Sequence, residues 1–281
     1  MKKRFIAISQ RLYEMQEYHE VREALAIDWG VFFKQYLSDF IMLPLSYTQD
    51  FSHYKPYIAG VILSGGNDLC VCNNNALNRK RDEFESSVIE SCIKDSIPLL
   101  GICRGAQMIA YYFNSTINKC NNHTKPHEVI QCVNLDSNNC HSKCGKESNL
   151  DSANRCFTYA QHDKFLESIY DLVGVRDLDC KNENLDSNAN FIKTDSVKSK
   201  NFHCFSVNSY HNYAIQTLGE NLSALAISIH EDRDLRDFSI EAFRHNFYNI
   251  FGIMWHIERA GGMHNDSIFC LWKNAIKANL T

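Results

Sequence analysis

The sequence predicts an α/β fold in which a mostly parallel central sheet is flanked by helices. Two observations support it: short apolar runs alternate with helical patterns in the first part of the chain, and runs of strand length return near its end. The first runs are Phe5–Ile8, 41–45, Ile58–Leu63 and 97–102. The later runs are Leu222–Ile229, 240–243 and 250–255, followed by a closing helix over 268–278.

A packing helix is predicted between the third and fourth runs, because apolar residues recur there at helical spacing. The residues on this apolar face are Phe84, Val88, Ile89, Cys92 and Ile93. The charged residues that we expect on the solvent face are Lys80, Arg81, Asp82 and Glu85.

Length and composition allow one or two domains, and we expect a single enzyme domain over residues 1–281, interrupted by an insertion at about 135–201. Hydrophobic residues make up 44% of the chain, which is enough for a buried core. The insertion is rich in Asn, Asp, Ser, Lys and Cys, and the tetrad Asn-Leu-Asp-Ser begins in or beside it at Asn134, Asn149 and Asn184. Such composition resists packing into a core, so we expect a helix there only at about 166–175.

Charge and hydropathy exclude several classes of partner. The formal net charge of -4, without a long basic run, argues against nucleic acid and anionic membranes. No apolar run approaches the roughly 18 to 20 residues of a spanning helix, and the apolar run 5–8 is too short for a signal peptide. We therefore expect a cytoplasmic protein whose 12 scattered cysteines are reduced.

The pentad Gly101-Ile102-Cys103-Arg104-Gly105 lies between a predicted strand and a predicted helix. A strand, sharp turn and helix with small flanking residues is the pattern of a nucleophile elbow, here with Cys in place of Ser. The thiol of Cys103 would then lie at a helix N-terminus, where the dipole favours a thiolate. The alternative is a buried cysteine in an incidental turn.

A base and its orienting acceptor are available at the end of the run 250–255. Residues two apart on a strand point to the same side, so His256 and Glu258 can face one site with Ile257 turned away. A chance pair at a strand end is the alternative interpretation.

A third element is the turn Ser64-Gly65-Gly66 after the strand Ile58–Leu63. Its backbone could approach a developing oxyanion, with the N–H of Arg104 as second donor. A plain strand-to-helix turn explains this motif equally well on its own.

These motifs, in this order, resemble the class I glutamine amidotransferase superfamily, and within it the γ-glutamyl hydrolase branch. The matching segments are Ser64-Gly65-Gly66, Gly101 to Gln107, Asn208-Ser209-Tyr210-His211 and Trp255-His256-Ile257-Glu258. The superfamily usually has proline where this chain has Ile257.

The resemblance implies a Cys103 nucleophile that attacks a γ-carbonyl, with His256 shuttling the proton and Glu258 holding the imidazole. It implies that Gly66 and Arg104 donate backbone hydrogen bonds to the oxyanion. Positions that hold the glutamyl group are matched by Gly65, Gln107, Ser209, Tyr210 and His211. The superfamily chemistry calls for no cofactor, and the partner implied is a small-molecule γ-glutamyl substrate without an obligatory synthase.

Further segments, among them Gln10-Arg11 and Tyr18-His19-Glu20, resemble a member of this branch whose substrate carries a diphosphate on the amine side. A diphosphate needs cationic or N–H donors, so we expect contacts from Arg11, His19 and Arg22. A solvated loop and helix face is an equally good explanation of these residues, and the run 79–81 is another candidate.

Four other interpretations stand beside this one. Cys140, His141 and Cys144, with Cys156 and His162, have zinc-ligand types but no standard spacing, so we expect no metal site. His123 and His127 could border the active site. The chain could also be a glutaminase subunit that passes ammonia to a synthase, or a non-catalytic regulator that binds a γ-glutamyl compound.

Overall fold

The computed structural model describes residues 4–15, 17, 19–120, 125–131, 203–229, 238–263 and 267–280. The expected insertion at about 135–201, the helix predicted within it and the cysteine-rich segment 140–162 lie outside these residues, as does His123. Their predictions therefore stay predictions.

The described residues contain thirteen strands and four α-helices. The strands are β1 (Phe5–Ile8), β2 (Arg11–Met15), β3 (Glu20–Ala24), β4 (Ile41–Pro44), β5 (Ile58–Leu63), β6 (Leu99–Ile102), β7 (Thr116–Lys119), β8 (His127–Gln131), β9 (His203–Val207), β10 (Tyr213–Thr217), β11 (Leu222–Ile229), β12 (Phe238–His245) and β13 (Ile250–Ile253). The helices are α1 (Ile27–Tyr36), α2 (Ala76–Lys94), α3 (Arg104–Tyr112) and α4 (Ser267–Ala278). Within these residues, no helix combines the length and the hydropathy needed to cross a membrane.

The main sheet has the strand order β4-β1-β5-β6-β13-β12-β11-β8-β9, with β10 and β7 attached through β12. The pairs from β4 to β13 are parallel, which confirms the predicted parallel sheet in the part that carries Cys103. From β12 onward the pairing is antiparallel. The hairpin β2–β3 forms a separate two-stranded sheet.

Helices cover both faces of the parallel strands, which is why β5, β6 and β13 are buried along their whole length. One face packs against α2 and α3 through residues such as Val88 and Ile109. The other packs against α1 and α4 through Phe32 and Trp272. This arrangement leaves the carboxyl ends of β5, β6 and β13 to meet at one edge of the sheet.

The structure corrects two details of the sequence analysis. Strand β13 ends at Ile253, not at 255, so strand alternation does not explain the shared orientation of His256 and Glu258. The face of α2 expected in solvent is also partly wrong, because Arg81 and Glu85 have no exposed surface. Their charges are tolerated inside because they pair with each other and because Glu85 also pairs with Arg104.

Candidate active site

Cys103 occupies a sharp turn between β6 and α3, as the pentad predicted. Its backbone has φ 52° and ψ -109°, a conformation that costs a non-glycine residue roughly 1–3 kcal/mol and that clusters at functional sites. The flanking glycines are required by space: a Cβ on Gly101 would lie 2.6 Å from the Ala106 nitrogen, and one on Gly105 would collide with the Leu63 carbonyl. The thiol is 5% exposed and lines a cavity, so it faces this cavity and not open solvent.

His256 and Glu258 come together as predicted. The imidazole Nδ1 lies 2.7 Å from Glu258 Oε1, and both side chains are buried. Asn208 fixes the turn that β13 leads into: its Oδ1 accepts from the His256 N–H at 2.9 Å, and its Nδ2 donates to the His256 carbonyl at 3.0 Å. Ile257 turns away into the core, as expected. The shared orientation of His256 and Glu258 is thus imposed by Asn208 and by the packing of Ile257 in the core.

The environment of His256 favours its protonated form. Burial pulls the pKa of His256 down, but the charge and hydrogen bond of Cys103 and the hydrogen bond and charge of Glu258 outweigh burial and raise this pKa to about 9. At neutral pH the imidazole is therefore positively charged. A positive charge beside Cys103 stabilises negative charge on its sulfur, as a thiol nucleophile requires.

The turn Ser64-Gly65-Gly66 lies beside Cys103. A Cβ on Gly65 would come within 2.8 Å of His256 Cε1, so only glycine leaves the imidazole its place. The Arg81 guanidinium donates to the carbonyls of Ser64, at 2.6 Å, of Gly65, at 3.2 Å, and of Gly66. Since the C=O and N–H of a trans peptide point in opposite directions, the N–H of Gly66 points away from Arg81.

Arg81 belongs to a buried charge cluster, which we define as Arg81, Asp82, Glu85 and Arg104. Glu85 accepts from Arg81 at 2.9 Å and from Arg104, and Arg104 also pairs with Asp82. The cluster joins the glycine turn to Arg104, the residue that follows Cys103. Sequence reasoning missed it, although the i,i+4 spacing of Arg81 and Glu85 on one helix is a signal for their pairing.

A cavity of about 310 Å³ opens above these elements. Eight of the predicted site residues line it: Arg11, Gly66, Cys103, Arg104, Gln107, Tyr210, His211 and His256. Five further lining residues were not predicted: Asn67, Asp68, Asn212, Tyr213 and Arg259. Within the part of the chain that the structure describes, no group of three or more His, Cys, Asp or Glu residues is placed to hold a metal ion.

The residues expected to hold the glutamyl group have different environments. Gln107 is fixed by donating from Nε2 to the Tyr213 carbonyl at 2.7 Å. Tyr210 is 53% exposed, whereas Ser209 is buried and is not among the lining residues. His211 lies 4.0 Å from the buried carboxylate of Glu241.

His127 contacts the same carboxylate group from β8. Its Nε2 lies 3.5 Å from Glu241 Oε2, and its ring centroid is 6.3 Å from that of His211. Burial raises the pKa of Glu241, but His127 and His211 outweigh this effect and hold the pKa at about 2. His127 therefore lies beside the cavity residue His211, on strand β8, in agreement with Pro126 excluding a helix at this point.

Of the three residues expected to contact a diphosphate, the structure brings only Arg11 to the cavity. Arg22 is exposed on the hairpin and pairs with Glu20 at 2.7 Å. His19 lies at the hairpin turn with φ 49°. Neither of them lines the cavity, so a contact with substrate from these two residues stays a prediction.

Comparison with known proteins assigns the family. The Peptidase C26 family model matches residues 5–154. The chain is 40% identical to γ-glutamyl-CDP-amidate hydrolase from Campylobacter jejuni subsp. jejuni, over 97% of this chain and 99% of that protein. It is 29% identical to a glutamine amidotransferase-like protein of Rickettsia prowazekii, over 64% of this chain and 60% of that protein.

Solved structures agree on the fold. A GMP synthase subunit from Thermoplasma acidophilum matches with a TM-score of 0.54 at 15% identity, covering 98% of this chain and 96% of that one. A glutamine amidotransferase from Methylobacillus flagellatus matches with a TM-score of 0.50 at 11% identity, covering 100% and 94%. The chain therefore belongs to the Peptidase C26 family and is a hydrolase with the fold of the class I glutamine amidotransferases.

Proposed function

We propose that this protein hydrolyses the γ-glutamyl amide bond of γ-glutamyl-CDP-amidate to glutamate and cytidine diphosphoramidate, in the modification of bacterial capsular polysaccharide. The observation that carries the substrate is the 40% identity, over nearly the whole chain, to the Campylobacter enzyme of that name. The geometry supports the chemistry, because Cys103 and a charged His256 face one cavity. The substrate is a small molecule, and the reaction needs neither a cofactor nor a synthase partner.

In the first half-reaction, the Cys103 sulfur attacks the γ-carbonyl carbon. The carbonyl oxygen becomes negatively charged, and the N–H groups of Gly66 and Arg104 stabilise it. Both fit this role: the Gly66 N–H points away from Arg81, and Arg104 begins α3, where backbone N–H groups lack intrahelical acceptors. The carbon–nitrogen bond then breaks as His256 gives its proton to the leaving nitrogen.

In the second half-reaction, water attacks the γ-glutamyl thioester. The neutral His256 takes a proton from this water, the carbon–sulfur bond breaks, and glutamate leaves with the Cys103 thiolate restored beside an imidazolium. Glu258 keeps Nδ1 protonated and the ring oriented in both steps. Gln107, Tyr210 and His211 line the space that the glutamyl group would fill.

The test is glutamate release by the purified protein from γ-glutamyl-CDP-amidate, γ-glutamyl-aminobutyrate and glutamine. We expect a marked preference for the nucleotide substrate. Preference for either of the others would replace the proposal by a general γ-glutamyl-amine hydrolase or a glutaminase subunit. Absence of turnover on all three would favour the non-catalytic regulator.

Cys103→Ala tests the nucleophile in the same assay. Loss of a triad nucleophile removes several orders of magnitude of rate, so no glutamate release above background is expected. Mass spectrometry of the wild-type protein, quenched during turnover, should show a γ-glutamyl adduct that Cys103→Ala lacks. Turnover by Cys103→Ala at the wild-type rate would rule out this nucleophile.

A further inference from the structure

The cavity presents two guanidinium groups, although three arginines line it. The Arg104 side chain is 1% exposed and forms ion pairs with Asp82 and Glu85. Arg11 and Arg259 remain. Nucleoside diphosphates are recognised by such groups, because a guanidinium donates paired hydrogen bonds to phosphate oxygens.

Arg259 lies next to the residue that must protonate the leaving group. Its N–H donates to the His256 carbonyl at 3.2 Å, and its guanidinium lies 4.5 Å from the centroid of the Tyr210 ring. That ring in turn contacts His256, with 5.5 Å between centroids. The Arg259 side chain is 37% exposed, and its Nε lies 3.8 Å from Glu258, so its terminal nitrogens remain available to a ligand.

Arg11 lies against the glycine turn and lines the same cavity as Arg259. A Cβ on Gly66 would come within 2.7 Å of Arg11 Cδ, so the side chain passes directly over this residue. Asn67 holds β2 in place by accepting from the Leu12 N–H and donating to its carbonyl, both at 3.0 Å. The Arg11 guanidinium stacks on Tyr13 at 4.6 Å, and no carboxylate among the described residues pairs with it.

The chemistry determines where the leaving group lies. His256 can protonate the leaving nitrogen only if this nitrogen is within hydrogen-bond reach, so the group attached to it must extend past His256. Tyr210 contacts the His256 ring, and Arg259 stacks on Tyr210. A diphosphate bonded to that nitrogen would therefore lie within reach of Arg259.

We propose that Arg259, held by Tyr210, forms with Arg11 the subsite for the diphosphate of the leaving group. The proposal rests on the proposed function for its substrate and names the residues that select it. It replaces His19 and Arg22 with Arg259 as the partner of Arg11. Asp68, also in the lining, disfavours any second anionic group near it.

The experiment compares kinetics on γ-glutamyl-CDP-amidate and on a γ-glutamyl amide with an uncharged amine. We expect Arg259→Gln and Arg11→Gln to lower kcat/KM about 10- to 100-fold on the nucleotide substrate, mainly through KM, and several-fold less on the uncharged amide. Arg259→Lys keeps the charge and should fall between wild type and Arg259→Gln. Arg4 is an exposed arginine just before β1 and outside the cavity lining, so Arg4→Gln is the matched control.

Three kinetic outcomes would overturn the subsite. Equal losses on both substrates would mean that Arg259 acts through Glu258 or the fold. If the Arg259→Gln enzyme is as active as the Arg4→Gln control, the Arg259 side chain makes no contact with the substrate. A larger loss in Arg22→Gln than in Arg259→Gln would place the diphosphate at Arg22 and not at Arg259.

Binding of CDP separates this inference from the proposed function. In Cys103→Ala, calorimetry should show CDP binding that weakens about tenfold when Arg259→Gln is added. If the wild-type protein does not hydrolyse γ-glutamyl-CDP-amidate but this loss of CDP binding is found, the function fails and the subsite stands. If Cys103→Ala binds no CDP, or binds it equally with Arg259→Gln, the subsite fails whatever the activity.

Discussion

Replacing Glu85 by Gln would test the buried charge cluster most directly. The substitution keeps the shape of the side chain and one acceptor oxygen, but removes the only carboxylate that contacts both Arg81 and Arg104 in the described structure. Burial raises the pKa of Glu85, yet Arg104 and Arg81 outweigh burial and hold it below its usual value. Glu85 is therefore ionised at neutral pH and is stabilised by its partners.

The size of the effect follows from burial. Glu85, Arg81 and Arg104 have side chains that are 0%, 0% and 1% exposed, so solvent cannot replace a lost partner. Breaking a buried pair by removing one charge costs about 3–5 kcal/mol. Because the Gln oxygen still accepts a hydrogen bond, we expect the free energy of unfolding to fall by about 3 kcal/mol. At a slope of about 3 kcal/mol/M, this loss lowers the urea midpoint by about 1 M.

The assay is urea denaturation of Glu85→Gln beside wild type and Glu20→Gln. Glu20 forms an exposed pair with Arg22, whose side chains are 52–53% exposed, so this control should unfold with the wild-type midpoint. We also expect kcat of Glu85→Gln to fall, because Arg81 orients the glycine turn. A midpoint for Glu85→Gln that coincides with that of Glu20→Gln would refute the argument that the cluster stabilises the fold.

Two further predictions concern His256 and its neighbour. The folded pKa of His256, about 9, is above its unfolded value of 6.5, so its contribution to stability is fully present below pH 6.5 and is lost as pH rises through about 9. The urea midpoint of wild type should therefore drop more between pH 6 and pH 9.5 than that of His256→Gln, and parallel pH profiles would contradict the assignment. Gly65→Ala places a methyl group 2.8 Å from His256 Cε1, so kcat should fall at least about tenfold. A normal kcat for this variant would show that the turn can move aside, and Gly30→Ala, where a Cβ meets nothing within 4 Å, is its control.

Most of the correct predictions about the site came from short local motifs. The Gly101 to Gly105 pentad predicts its own backbone, because only glycine fits on either side of a sharp turn between strand and helix. The pair His256 and Glu258 was found for a reason that the structure corrects: Asn208, 48 residues away in sequence, fixes their turn. No periodicity in the sequence encodes that contact.

Helical periodicity also gave a wrong prediction for part of α2, because it assigns charged residues to the solvent-facing side of a helix. Arg81 and Glu85 are buried because Arg104 and the carbonyls of the glycine turn reach them from other elements. The cost of burying a charge depends on partners that only the folded chain supplies. Arg259 was missed for the same reason, since its contact with Tyr210 joins residues that are distant in sequence.

The sequence by itself determined the strands of the parallel sheet, the sharp turn at Cys103 and the family, because these depend on apolar periodicity and on glycines in short segments. Only the tertiary structure decided which charges are buried, which arginines reach the cavity and how His256 is oriented. Those properties depend on distances between residues far apart in the chain, and such distances exist only once the sheet has brought the ends of β5, β6 and β13 together.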